Sequence, residues 1–178
     1  MKNNTLTTKL VFTALMTAIT CLLTMAIRFP SPTGGYLNAG DISVLTCAFL
    51  LGPLWGTLAA GLGSALADIL SGYFQYAPAT FVIKALVALT AFGVMFLFRK
   101  MQNKSLLRIL TNSLGFALGE ALMVGLYFAY EATVLSYGMG ALAGVTGNCM
   151  QGLAGVIGGL LMVEILRKTK IKEKYLSK

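Results

Sequence analysis

Apolar residues dominate this chain in long runs, and polar residues gather in short breaks between them. The runs cover residues 8–27, 41–52, 54–73, 80–98, 106–130 and 140–166. At ~1.5 Å per helical residue, five of them are near or above the length needed to cross a hydrocarbon core of about 30 Å. The run 41–52, "DISVLTCAFLLG", is too short to cross and stops at Gly52-Pro53, with Pro53 suited to an early position of the next helix. The pattern predicts an all-α integral membrane bundle of six transmembrane helices forming one domain over 1–178.

The break "SPTGGYLNAGD", Ser31 to Asp41, is rich in Gly and Pro, carries an aromatic residue and ends in an acid. Because the run after it is short, the loop is expected to dip into the bundle and bring Asn38 and Asp41 below the outer surface. Non-helical backbone is tolerated at that depth where protein buries it or it lines a cavity.

Composition agrees with the pattern. The chain is 57% hydrophobic and 11% charged, against about 25% charged in a typical soluble domain. The net charge of +8 suggests nucleic acid only until its distribution is considered. Apart from Arg28 and Lys84, every basic residue lies in one of three clusters at run ends. These are Lys2 and Lys9; Arg99, Lys100, Lys104 and Arg108; and Arg167, Lys168, Lys170, Lys172, Lys174 and Lys178. The positive-inside rule then puts both termini and the break after residue 98 in the cytoplasm, with the breaks after 27, 73 and 130 outside. The charge reports topology, and no nucleic-acid partner is implied. Cys21, Cys47 and Cys149 lack metal spacing and read as small buried hydrophobes.

Small residues repeat every four positions at Gly56, Ala60 and Ser64, continuing to Asp68 and Gly72. A second set is Gly140, Gly144, Asn148 and Gly152, and a third is Gly147, Gly155 and Gly159 around Gln151. Such stripes let helices approach closely, and contacts inside the bundle are expected. Ala14 and Ala18 share this spacing on the first run.

Ionisable residues in the apolar runs are costly and mark candidate sites. Asp41, Asp68, Lys84 and Glu120 are the candidates, with Asn148 and Gln151 as neutral companions. Asp68 and Lys84 flank one short loop at similar depth and are placed to pair. Glu120, Tyr127 and Glu131 share one helix face. Tyr36, Tyr73 and Tyr76 lie in outward loops at the depth where interfacial tyrosines sit. Together the polar groups suit a small, planar, polar organic molecule held by hydrogen bonds and stacking.

The chain has no His, which removes Ser-His catalysis and His-based zinc. It has no phosphate-binding Gly-x-x-x-x-Gly-Lys-Ser/Thr loop. A binding protein driven by an outside energy source is favoured over an enzyme, with no metal and no cofactor. An intramembrane lipid-modifying enzyme using Asp68 or Glu120, or a structural subunit, are the alternatives.

"GYLNAGD", "GPLWG" and "YAPATFVIKAL", with Ala14 and Ala18 on the first helix, resemble the substrate-binding S components of energy-coupling factor (ECF) vitamin transporters. The likeness covers essentially the whole chain, in the branch holding riboflavin and hydroxymethylpyrimidine or pyridoxine members. The resemblance implies a multi-pass subunit of a bacterial-type plasma membrane that captures a vitamin from outside. It implies assembly with a transmembrane T component and two cytoplasmic ATPases, which supply the energy, and toppling of the whole subunit to release its cargo. It assigns Ala14 and Ala18 to the T-component contact and residues 34–38, with Tyr36 and Asn38, to a gate. Substrate contacts are expected from Tyr36, Asn38, Asp41, Lys84, Glu120, Tyr127, Asn148 and Gln151. A hydroxymethylpyrimidine- or pyridoxine-like ring is the leading substrate and riboflavin the alternative. Thiamine members usually carry more Trp and a His, which this chain lacks.

Overall fold

The computed structural model describes residues 5–101 and 104–176. Lys2 and Lys178 of the basic clusters lie outside the described residues. Five long helices account for most of it: α1 (Thr5–Ala26), α2 (Gly40–Leu70), α3 (Ala77–Leu97), α4 (Ser105–Thr133) and α5 (Leu142–Thr169). All five are long and apolar enough to cross a membrane.

The runs 41–52 and 54–73 fall in one element, α2, but that element is not straight. Gly52 has φ 79° and ψ −165° and interrupts the helical backbone. That conformation is open to glycine and strained for other residues. In a straight helix Gly56 and Cys47 would lie ~13.5 Å apart along the axis. Instead, a Cβ added to Gly56 would sit 2.5 Å from the Cys47 carbonyl oxygen. The chain therefore folds back at Gly52, and the arm 40–51 packs against the arm 53–70. The first arm is ~18 Å long, in line with its short run in the sequence.

Residues 27–39 are not an irregular loop. Strands β1 (Arg28–Pro30) and β2 (Tyr36–Asn38) pair antiparallel, with Phe29 opposite Leu37. Such three-residue strands leave no alternating pattern in the sequence, so the hairpin was not anticipated. Its tip closes through Ser31 N–H to the Gly35 carbonyl at 2.9 Å.

The core forms where α2 meets the other helices. Val44, Leu45, Cys47, Ala48, Ala59, Ala60, Val87, Ala91, Phe116, Met123 and Val163 have no exposure. The glycine stripes pack internally: Gly152 and Gly155 lie against Glu120, and Gly159 against Leu45 and Phe116. Cys21 and Cys47 are buried, but Cys149 is exposed. It lies on the outer face of α5 beside exposed Met150 and Leu153, where lipid rather than protein would cover an apolar residue.

One end of the bundle gathers the hairpin, the α2–α3 turn and the α4–α5 connection. Tyr76 on the α2–α3 turn donates to the Thr33 carbonyl at 2.9 Å, and Tyr130 of α4 donates to the Gln75 carbonyl. The opposite end gathers the Gly52 turn, the α3–α4 connection and the tail, where Lys172 donates to the Phe49 carbonyl at 2.5 Å. The described members of the basic clusters thus converge on one end and Arg28 lies at the other.

Candidate functional site under the hairpin lid

Beneath the hairpin lies a cavity of about 30 Å³, room for roughly two water molecules. Tyr36 and Asn38 from β2, Lys84 from α3, Tyr127 from α4, and Asn148 and Gln151 from α5 all line it. Six of the eight predicted substrate contacts therefore meet at one place. The other two, Asp41 and Glu120, are buried behind that wall.

Lys84 is 2% exposed and Asp41 1%. The Lys84 ammonium donates to Asp41 Oδ1 and lies 2.7 Å from Met123 Sδ. Asp41 stands in the first turn of α2, where the positive end of the helix favours a carboxylate. Its second oxygen accepts from Gln151 Nε2 at 2.6 Å, and Gln151 Oε1 accepts the Asn38 N–H at 2.9 Å. One glutamine thus ties the lid to the buried ion pair. The expected Lys84–Asp68 pair does not form. The lid carries Tyr36 over to Asp68, and its hydroxyl donates to Asp68 Oδ1 at 2.6 Å. The arrival of Asp41 from the start of α2 leaves Lys84 with a different partner.

Tyr127 supports the same region from α4. Its hydroxyl lies 3.0 Å from Thr80 Oγ1, and the Lys84 ammonium sits 5.7 Å from its ring centroid. Tyr36 packs on Tyr73 with centroids 4.7 Å apart. Burial, then the Asp68 charge, raises the Tyr36 phenol above its ordinary value. Burial and Glu131 do the same for Tyr76. Both hydroxyls stay protonated and remain donors.

Glu120 is 4% exposed, and neither carboxylate oxygen has a hydrogen-bond partner among the described residues. It sits between Gly152 and Gly155, and a Cβ on Gly155 would also meet Asp41 Cβ at 2.8 Å. Small residues on α5 therefore let two carboxylates approach behind Lys84.

Several residues that line the cavity are not among the predicted contacts. Glu131 lines the cavity and accepts from Thr33 Oγ1 at 2.9 Å and from the Tyr76 hydroxyl at 3.2 Å. Tyr76 is 5% exposed, so it fastens the lid instead of sitting in an interfacial belt. Thr80 and Ser64 also line the cavity. Each lies four residues before a predicted ionisable group, Lys84 or Asp68, on the same helix face. That spacing was the available signal.

A sequence model for the S component of ECF-type riboflavin transporters matches residues 4–168. The chain belongs to this family of ECF S components. It is 40% identical over 146 residues to a Pyrococcus woesei protein described as "Uncharacterized protein in gap 3'region", covering 82% of this chain and 92% of that one. It is 27% identical over 170 residues to the Lactococcus lactis subsp. cremoris thiamine precursor transporter HmpT, covering 92% and 90% respectively. A solved S component of a bacterial ECF transporter superposes with a TM-score of 0.68 at 21% identity, over 92% of this chain and 97% of that one. The likeness to the solved structure establishes the fold. ECF S components are membrane-embedded, substrate-binding subunits of vitamin transporters, working with T and ATPase modules. The enzyme and structural-subunit alternatives end there.

Proposed function

We propose that this S component captures a single-ring heteroaromatic vitamin or precursor, hydroxymethylpyrimidine- or pyridoxine-like, from outside the cell. The observation that carries the reading is the convergence of Tyr36, Asn38, Lys84, Tyr127, Asn148 and Gln151 on one cavity under the lid. Lys84, Asn148 and Gln151 offer hydrogen bonds to ring nitrogens and hydroxymethyl oxygens. Tyr36 and Tyr127 offer ring faces. Asp41 orients Lys84, and Glu120 backs the pair at the cavity floor.

The cavity is far below the ~300–1,000 Å³ of a typical ligand pocket, so the lid opens to admit substrate. A compact ring needs less of that opening than riboflavin. The thiamine-precursor assignment of the Lactococcus relative supports the compact ring. Riboflavin is the second reading, favoured by the family's description.

The two arms of α2 are counted as separate membrane helices, which gives six with both termini cytoplasmic in a bacterial-type plasma membrane. The exposed face of α1, with Ala14 and Ala18 beside Leu10, Val11 and Leu15, is assigned to the T component. Two ATPases complete the importer.

A mass-spectrometric screen of the purified chain against hydroxymethylpyrimidine, pyridoxine, riboflavin and thiamine tests the substrate. Retention of a single-ring compound supports the proposal. Retention of riboflavin, which its visible absorbance reports independently, replaces the leading substrate with the second reading.

A further inference from the structure

At the end opposite the lid, a second pocket of about 170 Å³ is walled by Phe49, Phe92, Phe96, Arg99, Arg167 and Lys172. Phe49, at the close of the first α2 arm, lies beneath two cations. The Arg167 guanidinium is 4.8 Å from its ring centroid and the Lys172 ammonium 4.5 Å. The Arg99 guanidinium stands 4.1 Å from the Phe96 centroid. Among the described residues no carboxylate lines the pocket. Glu164 is bound by Arg108 at 3.0 Å and also lies 3.9 Å from Arg167, in a neighbouring groove. Three cations therefore converge on one opening. Burial and then the Arg167 charge lower the Lys172 ammonium from its ordinary value, while Glu173, in the neighbouring groove with Glu164, offsets part of the charge on Lys172 and Arg167. An anion seated among them relieves that repulsion.

The floor of the pocket is apolar and continues outward. Phe92 and Phe96 stack with centroids 5.9 Å apart at 24°, one turn apart on α3. Phe96 is 54% exposed and Leu97 72%. The rings form a strip running along α3 from the cations toward the middle of the bilayer. A free inorganic anion has no use for such a strip, whereas an acyl chain does.

We propose that this pocket binds an anionic phospholipid of the adjacent leaflet. Its headgroup phosphate sits among Arg99, Arg167 and Lys172, and one acyl chain lies along Phe92 and Phe96. Basic pockets at this depth take acidic headgroups, and the negative leaflet surface adds to the attraction. The bound lipid bridges the Gly52 turn, the end of α3 and the basic tail.

The test uses the full purified chain, delipidated in detergent, with phosphatidylglycerol and phosphatidylcholine of identical acyl chains compared by native mass spectrometry. The expected result is about tenfold tighter retention of phosphatidylglycerol, ~1.4 kcal/mol. Arg99→Gln/Lys172→Gln is expected to bring the two lipids to near parity with helicity by circular dichroism unchanged. Because Lys172 also caps the Phe49 carbonyl, Arg99→Gln alone serves as a second variant. Arg99 is exposed, and its loss should lower the preference about threefold, ~0.65 kcal/mol. Equal retention of the two lipids by the unmodified chain, or an unchanged preference in Arg99→Gln, overturns the proposal. Displacement of phosphatidylglycerol by excess inorganic phosphate does so too, since it marks a bare anion site.

Discussion

Lys84 and Asp41 show what one buried ion pair does in this protein. Removing a single partner from such a pair strands a charge in the apolar interior, typically at ~3–5 kcal/mol. Lys84→Ala is therefore expected to lower the unfolding free energy by about that amount in detergent, measured by chemical or thermal unfolding. The Lys84→Ala/Asp41→Ala double variant should recover much of the stability without recovering vitamin binding. That split separates the structural role of the pair from its role in recognition. The sequence marked both residues, because a charge inside an apolar run has to be buried against protein. It did not reveal their pairing. Loop length placed Lys84 beside Asp68, but the fold spends Asp68 on Tyr36 and brings Asp41 across from the start of α2. Partner choice depended on the path of the lid, which no local spacing encodes.

Two elements, the α2 hairpin and the lid, build the site. Gly52 adopts φ 79° and ψ −165°, a backbone region essentially confined to glycine, so Gly52→Ala is expected to cost ~1–3 kcal/mol. Gly56→Val should cost more, since its side chain meets the Cys47 carbonyl. Gly93→Ala, inside α3 with nothing within 4 Å, is the control in the same melting experiment, unchanged or stabilised by up to ~1 kcal/mol. The Gly-Pro break and the short run announced the turn, while the tight approach of the arms appears only in three dimensions. The lid was legible as a polar Gly-rich interruption, but its strands were too short to leave a period. Its fastening by Thr33, Tyr76 and Glu131 was equally hidden, since those residues are distant in sequence and meet only when the hairpin, the α2–α3 turn and the end of α4 gather. Thr33→Val removes the hydroxyl that donates to Glu131. It is expected to raise the vitamin dissociation rate severalfold, ~1 kcal/mol for a lost hydrogen bond, in stopped-flow or surface-binding measurements.

Across the whole molecule, the all-helical membrane class was written in the sequence because a bilayer permits few solutions, whereas the six runs expected resolve into five membrane-length helices, with runs 41–52 and 54–73 joined in α2. The described members of the basic clusters do converge on one end, and the lid and cavity occupy the other. The exposed Ala14 and Ala18 face leads to a prediction at this scale. Ala14→Trp should abolish co-purification with the T component and ATPases while leaving vitamin affinity unchanged, because α1 presents that face away from the cavity. The central claim is that the cavity under the hairpin is the vitamin site. Calorimetric titration of the unmodified chain and of Asn148→Ala with the retained ring compound tests it most directly. Asn148 lines the cavity without belonging to the buried ion pair, so its loss should weaken binding about tenfold, ~1.4 kcal/mol, with an unchanged melting temperature. Equal affinities for the two proteins, or no binding of any ring compound by the unmodified chain, would contradict the account.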